Sequence, residues 1–165
     1  MKRREFITLL GGTAAAWPVV ARAQGIERNR RIGVLMASAE ADPESRLRVA
    51  AFERGLAELG WTMGRNLLID YRWAAADPAL MQTFAKELVG LQPDLILAST
   101  TPVVAAVAQE TDTIPIVFVV VSDPIGSRFV ESLPRPGRNI TGFINIESSL
   151  GGKWLELLKE IAPPH

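Results

Sequence analysis

Short apolar runs alternate with segments of helical periodicity from Arg31 to the end of the chain. A short continuous apolar run is typical of a strand that is buried on both faces of a parallel sheet. Five segments are predicted to be strands: residues 32–36, 67–73, 95–98, 116–121 and 139–143. The second strand is more polar toward its end, which favours a position nearer the edge of the sheet.

The segments between and after these strands place apolar residues three and four positions apart, as amphipathic helices do. Five helices are predicted, with apolar residues at Val49, Phe52, Leu56 and Leu59; at Leu80, Phe84, Leu88 and Leu91; over residues 103–108; at Phe129, Val130 and Leu133; and at Trp154, Leu157, Leu158 and Ile161. Gly60 stands where a left-handed residue commonly ends a helix. Strands alternating with helices predict an α/β fold with right-handed crossovers, namely a doubly wound parallel sheet with helices on both faces.

The first 23 residues have the organisation of an export signal. A positive segment that includes Arg3 and Arg4 precedes an apolar stretch, and Ala21-Arg22-Ala23 gives the small-residue pattern that predicts cleavage after Ala23. The segment from Arg3 to Ile7 resembles the twin-arginine signal, which directs folded proteins across the bacterial inner membrane. An ordinary secretory signal with two adjacent arginines is the alternative. Either route predicts a periplasmic protein, and the first makes the twin-arginine export machinery a partner.

Composition narrows the function of the remaining chain. Without the leader, 14 basic residues (18 less 4) face 17 acidic ones (18 less 1), a net charge of −3, which argues against nucleic acid or anionic lipid as a partner. Cysteine is absent and the single histidine is His165, so no metal site, cofactor site or disulfide is expected. Phosphate-binding glycine loops and nucleophile elbows are also missing, and the chain is expected to bind rather than to catalyse.

Four dipeptides pair a possible N-cap oxygen with a proline at the first helical position, and a capping role is the plain structural interpretation. They are Asp42-Pro43, Asp77-Pro78, Thr101-Pro102 and Asp123-Pro124.

Three loops have a second possible role. If the strand order is 2-1-3-4-5, the loops after strands one, three and four line the crevice where doubly wound sheets bind ligands. Six residues of these loops are the candidate ligand contacts: Ser38, Ser99, Thr100, Thr101, Ser122 and Asp123. Hydroxyl groups and helix N-termini suit a carboxylate, and Asp123 suits an ammonium group.

Several segments together resemble one known family. They are residues 31–36, 55–61, 66–73, 93–99, 114–118, 122–124, 135–142 and 152–163. In this order they are similar to the ABC transporter substrate-binding family that includes tryptophan- and tyrosine-binding proteins. The resemblance implies a type I periplasmic-binding fold, in which two α/β lobes close on a small ligand and deliver it to an ABC permease. It also implies that Ser38, Ser99 to Thr101, Ser122 and Asp123 face the ligand, and that Asn139 to Gly142 lead to the hinge.

The leader pattern and the resemblance together predict three parts of the chain: a signal peptide over residues 1–23, an N-terminal ligand-binding lobe over 24–147, and the start of the hinge or second lobe over 148–165. Because the family continues into a second lobe, truncation after His165 is expected. Two other classes remain as alternatives: a ligand-sensing module of the lactose-repressor type, and an exported single domain like flavodoxin or a response regulator. The first needs an N-terminal DNA-binding domain, and the second an acidic cluster or flavin-phosphate loop after strand one. The predicted function is the periplasmic solute-binding component of an ABC importer, for an amino acid or similar carboxylate.

Overall fold

The structure, a computed structural model, describes residues 29–144 and 150–161. Its elements in chain order are β1 (Arg30–Met36), α1 (Pro43–Glu58), β2 (Leu67–Trp73), α2 (Pro78–Gly90), β3 (Leu95–Ser99), α3 (Thr101–Glu110), β4 (Ile116–Val121), β5 (Ile140–Ile144) and α4 (Leu150–Ile161). All five predicted strands are therefore present, with ends that differ from the prediction by two residues or fewer.

The strands form one sheet in the order β2-β1-β3-β4-β5, and every pair of neighbours is parallel. This confirms the predicted doubly wound α/β fold, its strand order and the edge position of β2. In a parallel sheet the carboxyl ends of all strands lie along one edge, so the loops after β1, β3 and β4 are brought together there.

Each face of the sheet buries its own set of side chains, as the alternation of strand residues requires. On one face Leu35 and Phe118 are fully buried beneath α2 and α3. On the other face Val34 is fully buried, and Val49 and Phe52 of α1 pack against its cluster. Helices thus cover both faces, as predicted.

Side-chain caps begin the first two helices. The backbone N–H of Ser45 donates to Asp42 Oδ2 at 2.9 Å, and the N–H of Ala79 donates to Asp77 Oδ1 at 2.7 Å. The residue after the C-cap of α1 is Gly60, which has a φ of +87°. The predicted capping roles of Asp42 and Asp77 and the predicted left-handed stop at Gly60 are confirmed.

The helix predicted over Phe129, Val130 and Leu133 is wrong. Only one helical turn follows Asp123, and it closes where Arg128 adopts a φ of +59°. The N–H of Phe129 then donates to the carbonyl of Pro124 at 2.9 Å, the crossed bond of a Schellman ending. Phe129 and Val130 are nevertheless buried in the core, so their apolar pattern reported burial and not helical periodicity.

α4 confirms the last predicted helix and exposes its apolar residues. Trp154 is 56% exposed and Ile161 is 83% exposed, and Leu157 and Leu158 lie between them on the same stripe. Across the described ranges, no helix is both long enough and apolar enough to cross a membrane.

We expect this chain to self-associate in solution through α4, because monomers rarely expose a continuous apolar patch of this kind. Light scattering should detect the association, and replacing Leu158 and Ile161 with glutamate should reverse it. If the chain is instead a monomer with slow amide exchange throughout α4, this prediction is wrong.

Candidate functional site

A cavity of about 660 Å³ lies at the carboxyl ends of the strands. Loop residues form its rim, namely Ala37 and Ser38 after β1, Ala76 after β2, and Ser99 and Thr100 at the end of β3. Its floor is the sheet face beside α1, with Val34, Leu97, Val117, Val119 and Phe143, and α1 adds Val49 and Phe52. The cavity therefore has a polar rim over an apolar floor, at the edge where this class of sheet binds ligands.

Two hydroxyl groups on the rim are buried without a partner. Neither Ser38 Oγ nor Thr100 Oγ1 has a hydrogen bond to any other residue that the structure describes. A buried polar atom that lacks its bond costs about 1–3 kcal/mol. Both atoms belong to residues that line the cavity, so a ligand placed there can supply the missing bonds.

Ser99 has a different position from its neighbour. It is only 5% exposed, and its Oγ accepts a hydrogen bond of 3.1 Å from the backbone N–H of Ala37. That bond ties the loop after β1 to the end of β3. Ser99 consequently holds Ser38 and Thr100 on the same rim, while its own hydroxyl hydrogen remains available as a donor.

The N-terminus of α3 carries no side-chain cap. Thr101 was predicted to cap this helix, and that prediction is wrong: the N-cap is Thr100, and Thr101 is the first helical residue. Thr100 has a φ of +75°, whereas Asp42 and Asp77 cap their helices from the extended region. Its hydroxyl accepts no bond from the amides of α3, and the positive end of the helix dipole is left at the rim.

Strained backbone is concentrated around this rim. Thr100 and Val120 both have positive φ, at +75° and +58°, although both are β-branched residues for which this region is unfavourable. Ala76, with a φ of +62°, also lines the cavity. Such strain persists only where the surroundings impose it, and it clusters at functional sites. Sequence reasoning missed Val120 and Ala76, because nothing in their residue type signals a left-handed backbone.

Ser122 and Asp123 lie beyond β4 and are exposed. Neither lines the cavity, and Asp123 Oδ1 accepts a hydrogen bond of 2.7 Å from the N–H of Gly126. Asp123 therefore caps the single turn that follows it, as its Asp-Pro pattern predicted. The structure brings Ser38, Ser99 and Thr100 together, and it leaves Thr101, Ser122 and Asp123 outside the cavity wall.

Arg48 is the single charged residue among those that line the cavity, and it forms an ion pair with Glu44 one turn earlier in α1. Among the residues described, no group of acidic, histidine or cysteine side chains could hold a metal ion. The chemistry available at the rim is that of neutral hydroxyls and a helix terminus.

Comparison with known proteins identifies one family and several similar proteins. A family model described as "ABC transporter substrate binding protein" matches residues 32–164. A protein named tyrosine-binding protein, from Clostridioides difficile strain R20291, is 35% identical over 115 residues. That match covers 68% of this chain and 32% of the relative.

Solved structures show the same partial coverage. A conserved domain protein from Vibrio cholerae has a TM-score of 0.71 at 34% identity, over 82% of this chain and 45% of its own. An ABC domain in complex with L-Trp from Streptococcus pneumonia has a TM-score of 0.69 at 30% identity, over 82% of this chain and 44% of its own. The chain thus spans less than half the length of these similar structures.

Proposed function

The chain belongs to the ABC transporter substrate-binding protein family, and from that premise we propose that it is the exported solute-binding component of an ABC importer. Residues 24–147 form the first lobe of a type I periplasmic-binding fold, and residues 148–165 lead into the hinge and second lobe. The proposed ligand is an amino acid held between the two lobes. Its partner is the ABC permease, and the protein itself performs no catalysis.

The observation that carries this proposal is the pair of buried, unpartnered hydroxyls of Ser38 and Thr100 beside the uncapped N-terminus of α3. A carboxylate placed there can accept a hydrogen bond from each hydroxyl and from the first free amides of α3. The helix dipole adds a favourable interaction with the negative charge. The ligand would thereby cap α3, as Asp42 and Asp77 cap α1 and α2.

The apolar floor indicates the side chain of the ligand. Leu97, Val117 and Val119 continue the cavity away from the polar rim, and Phe143 adds an aromatic ring that is 74% exposed. An aromatic amino acid fits this division, because its carboxylate can lie on the rim while its ring covers the apolar surface. A relative named for tyrosine binding and a similar structure in complex with L-Trp support the same ligand class.

Thr100→Val directly tests whether the rim binds the carboxylate of the ligand. The substitution removes the unpartnered hydroxyl and keeps the β-branched shape, so the melting temperature of the free chain should stay the same or rise. A hydrogen bond to a charged group contributes about 1.5–3 kcal/mol, so affinity for L-tyrosine or L-tryptophan should fall roughly ten- to a hundredfold. Calorimetry on this chain, and on a two-lobed relative with the equivalent substitution, measures the change.

Thr83→Val supplies the matched control, because Thr83 is an exposed threonine of α2 whose hydroxyl donates to the carbonyl of Ala79. It makes the same chemical change away from the cavity, and affinity should stay the same. Unchanged affinity in both Thr100→Val and Ser38→Ala would show that the ligand does not use this rim.

A further inference from the structure

A second recess lies at the amino ends of the strands, whereas the ligand cavity lies at their carboxyl ends. It has a volume of about 510 Å³, and its lining includes Thr111 and Asp112 before β4, and Asn139 and Ile140 at the start of β5. Because the strands are parallel, all of their amino ends lie on the side opposite the loops after β1 and β3. The recess is therefore separate from the proposed amino-acid site.

Two arginines, Arg128 and Arg138, line this recess. Within the described ranges neither guanidinium forms an ion pair or a hydrogen bond. Asp112 is the single acidic residue of the lining, so the recess has a net positive charge.

The backbone of Arg128 gives independent reason to assign its side chain a role. Its φ of +59° is the left-handed ending of the turn after Asp123, a position where glycine fits without strain. A β-carbon at that position lowers the stability of the turn. Arginine thus places a long cation in the recess at the expense of local backbone stability, which is a pattern associated with function.

We propose that this recess binds a small organic dianion, with a phosphate group or a pair of carboxylates held by the guanidinium groups of Arg128 and Arg138. The planar guanidinium donates two parallel hydrogen bonds to carboxylate or phosphate oxygens, which makes arginine suited to these groups. The volume is within the range of small-molecule sites, about 300–1,000 Å³, and exceeds the need of a single oxyanion.

Two further side chains define the rest of the ligand. Asn139 Nδ2 donates to the carbonyl of Ile114 at 2.8 Å, which fixes the amide and leaves its oxygen as an acceptor. Asp112, an exposed residue of the lining, is a second acceptor. A hydroxyl or amino group on the dianion would donate to these oxygens, and a protonated amino group would also balance the charge of Asp112. The ligand class is therefore a hydroxylated or aminated dianion.

Titration of the chain with inorganic phosphate and with L-malate, each against sodium chloride at equal ionic strength, tests the proposal. We expect saturable shifts of the Asn139 side-chain amide and of the backbone amides near Arg138 in nuclear magnetic resonance spectra. A response to phosphate alone identifies a phosphate ester as the ligand, and a response to L-malate alone identifies a dicarboxylate. Absence of a saturable response to either anion would overturn the proposal.

Three variants separate binding from folding. Arg138→Gln and Arg128→Gly should each lower the affinity for the dianion at least tenfold. Arg128→Gly should also keep or raise the melting temperature, because glycine relieves the left-handed strain. Arg135→Gln is the matched control, since Arg135 is an exposed arginine of the same loop that does not line the recess. An equal response in all three variants would show that the anions bind elsewhere.

Discussion

Gly142→Ala is expected to destabilise the chain strongly, because there is no room for a β-carbon between β4 and β5. Gly142 pairs with Phe118 in the sheet, and a β-carbon at position 142 would lie 2.6 Å from Phe118 Cγ and closer still to the Phe118 carbonyl oxygen. Phe118 is fully buried, so neither its ring nor its backbone can move freely. Overpacking of this kind typically costs about 1–3 kcal/mol, and the clash with backbone places Gly142 at the upper end of that range.

Urea denaturation followed by circular dichroism measures this effect as a lower midpoint. Gly55→Ala is the matched control, since Gly55 lies within α1 and, apart from its chain neighbours and the backbone of its own helix, no described atom lies within 4 Å of the added carbon. In a helix interior the same substitution is expected to stabilise the chain by about 0.5–1 kcal/mol. Equal midpoints for Gly142→Ala and the unmodified chain would show that β5 is not held as the register describes.

Replacing Arg3 and Arg4 together with lysine is expected to abolish export. Lysine keeps the positive charge and removes both guanidinium groups, so the variant separates a twin-arginine signal from one that needs charge alone. The precursor should remain in the cytoplasm with residues 1–23 attached, which cell fractionation and mass spectrometry detect. The leader lies outside the residues that the structure describes, and its export role stays a prediction from sequence.

Arg22→Lys is the control for export, because it changes an arginine of the same leader outside the pair. It should leave the amount of periplasmic protein unchanged. Mature protein in the periplasm at the normal level after the double substitution would instead favour the ordinary secretory signal.

The strands were predictable from sequence because their apolar runs record burial directly. Residues 116–121, for example, are continuously apolar, and β4 covers the same six positions. Helix ends were predictable where a side chain caps them from an extended backbone, as Asp42 and Asp77 do. The errors at Thr101 and over residues 129–133 have a common cause. In each case a nearby residue, Thr100 or Arg128, adopts a left-handed backbone conformation that its residue type does not favour.

The candidate site was predictable in part for a topological reason. Once the order 2-1-3-4-5 is assumed, parallel strands bring Ser38, Ser99 and Thr100 to one rim whatever their separation in sequence. The separate roles of Ser99 and Thr100 were not predictable, because they depend on the hydrogen bond from Ala37 to Ser99 Oγ. The carboxylate of Asp123 caps the turn that follows β4, and its contact with a ligand ammonium group stays a prediction.

The all-parallel sheet also determines how slowly this chain acquires its structure. Among the described residues the sheet contains no hairpin, and no two paired strand residues are closer in the sequence than Ile96 and Ile116; Ile32 pairs with Leu95. Each pairing must therefore close a long loop before it gains any contact energy, which makes folding slow and leaves apolar strands exposed meanwhile. A translocase that accepts only folded cargo would have to wait for this process. The leader would then need to remain accessible, and the nascent chain protected from aggregation, for as long as the sheet takes to assemble.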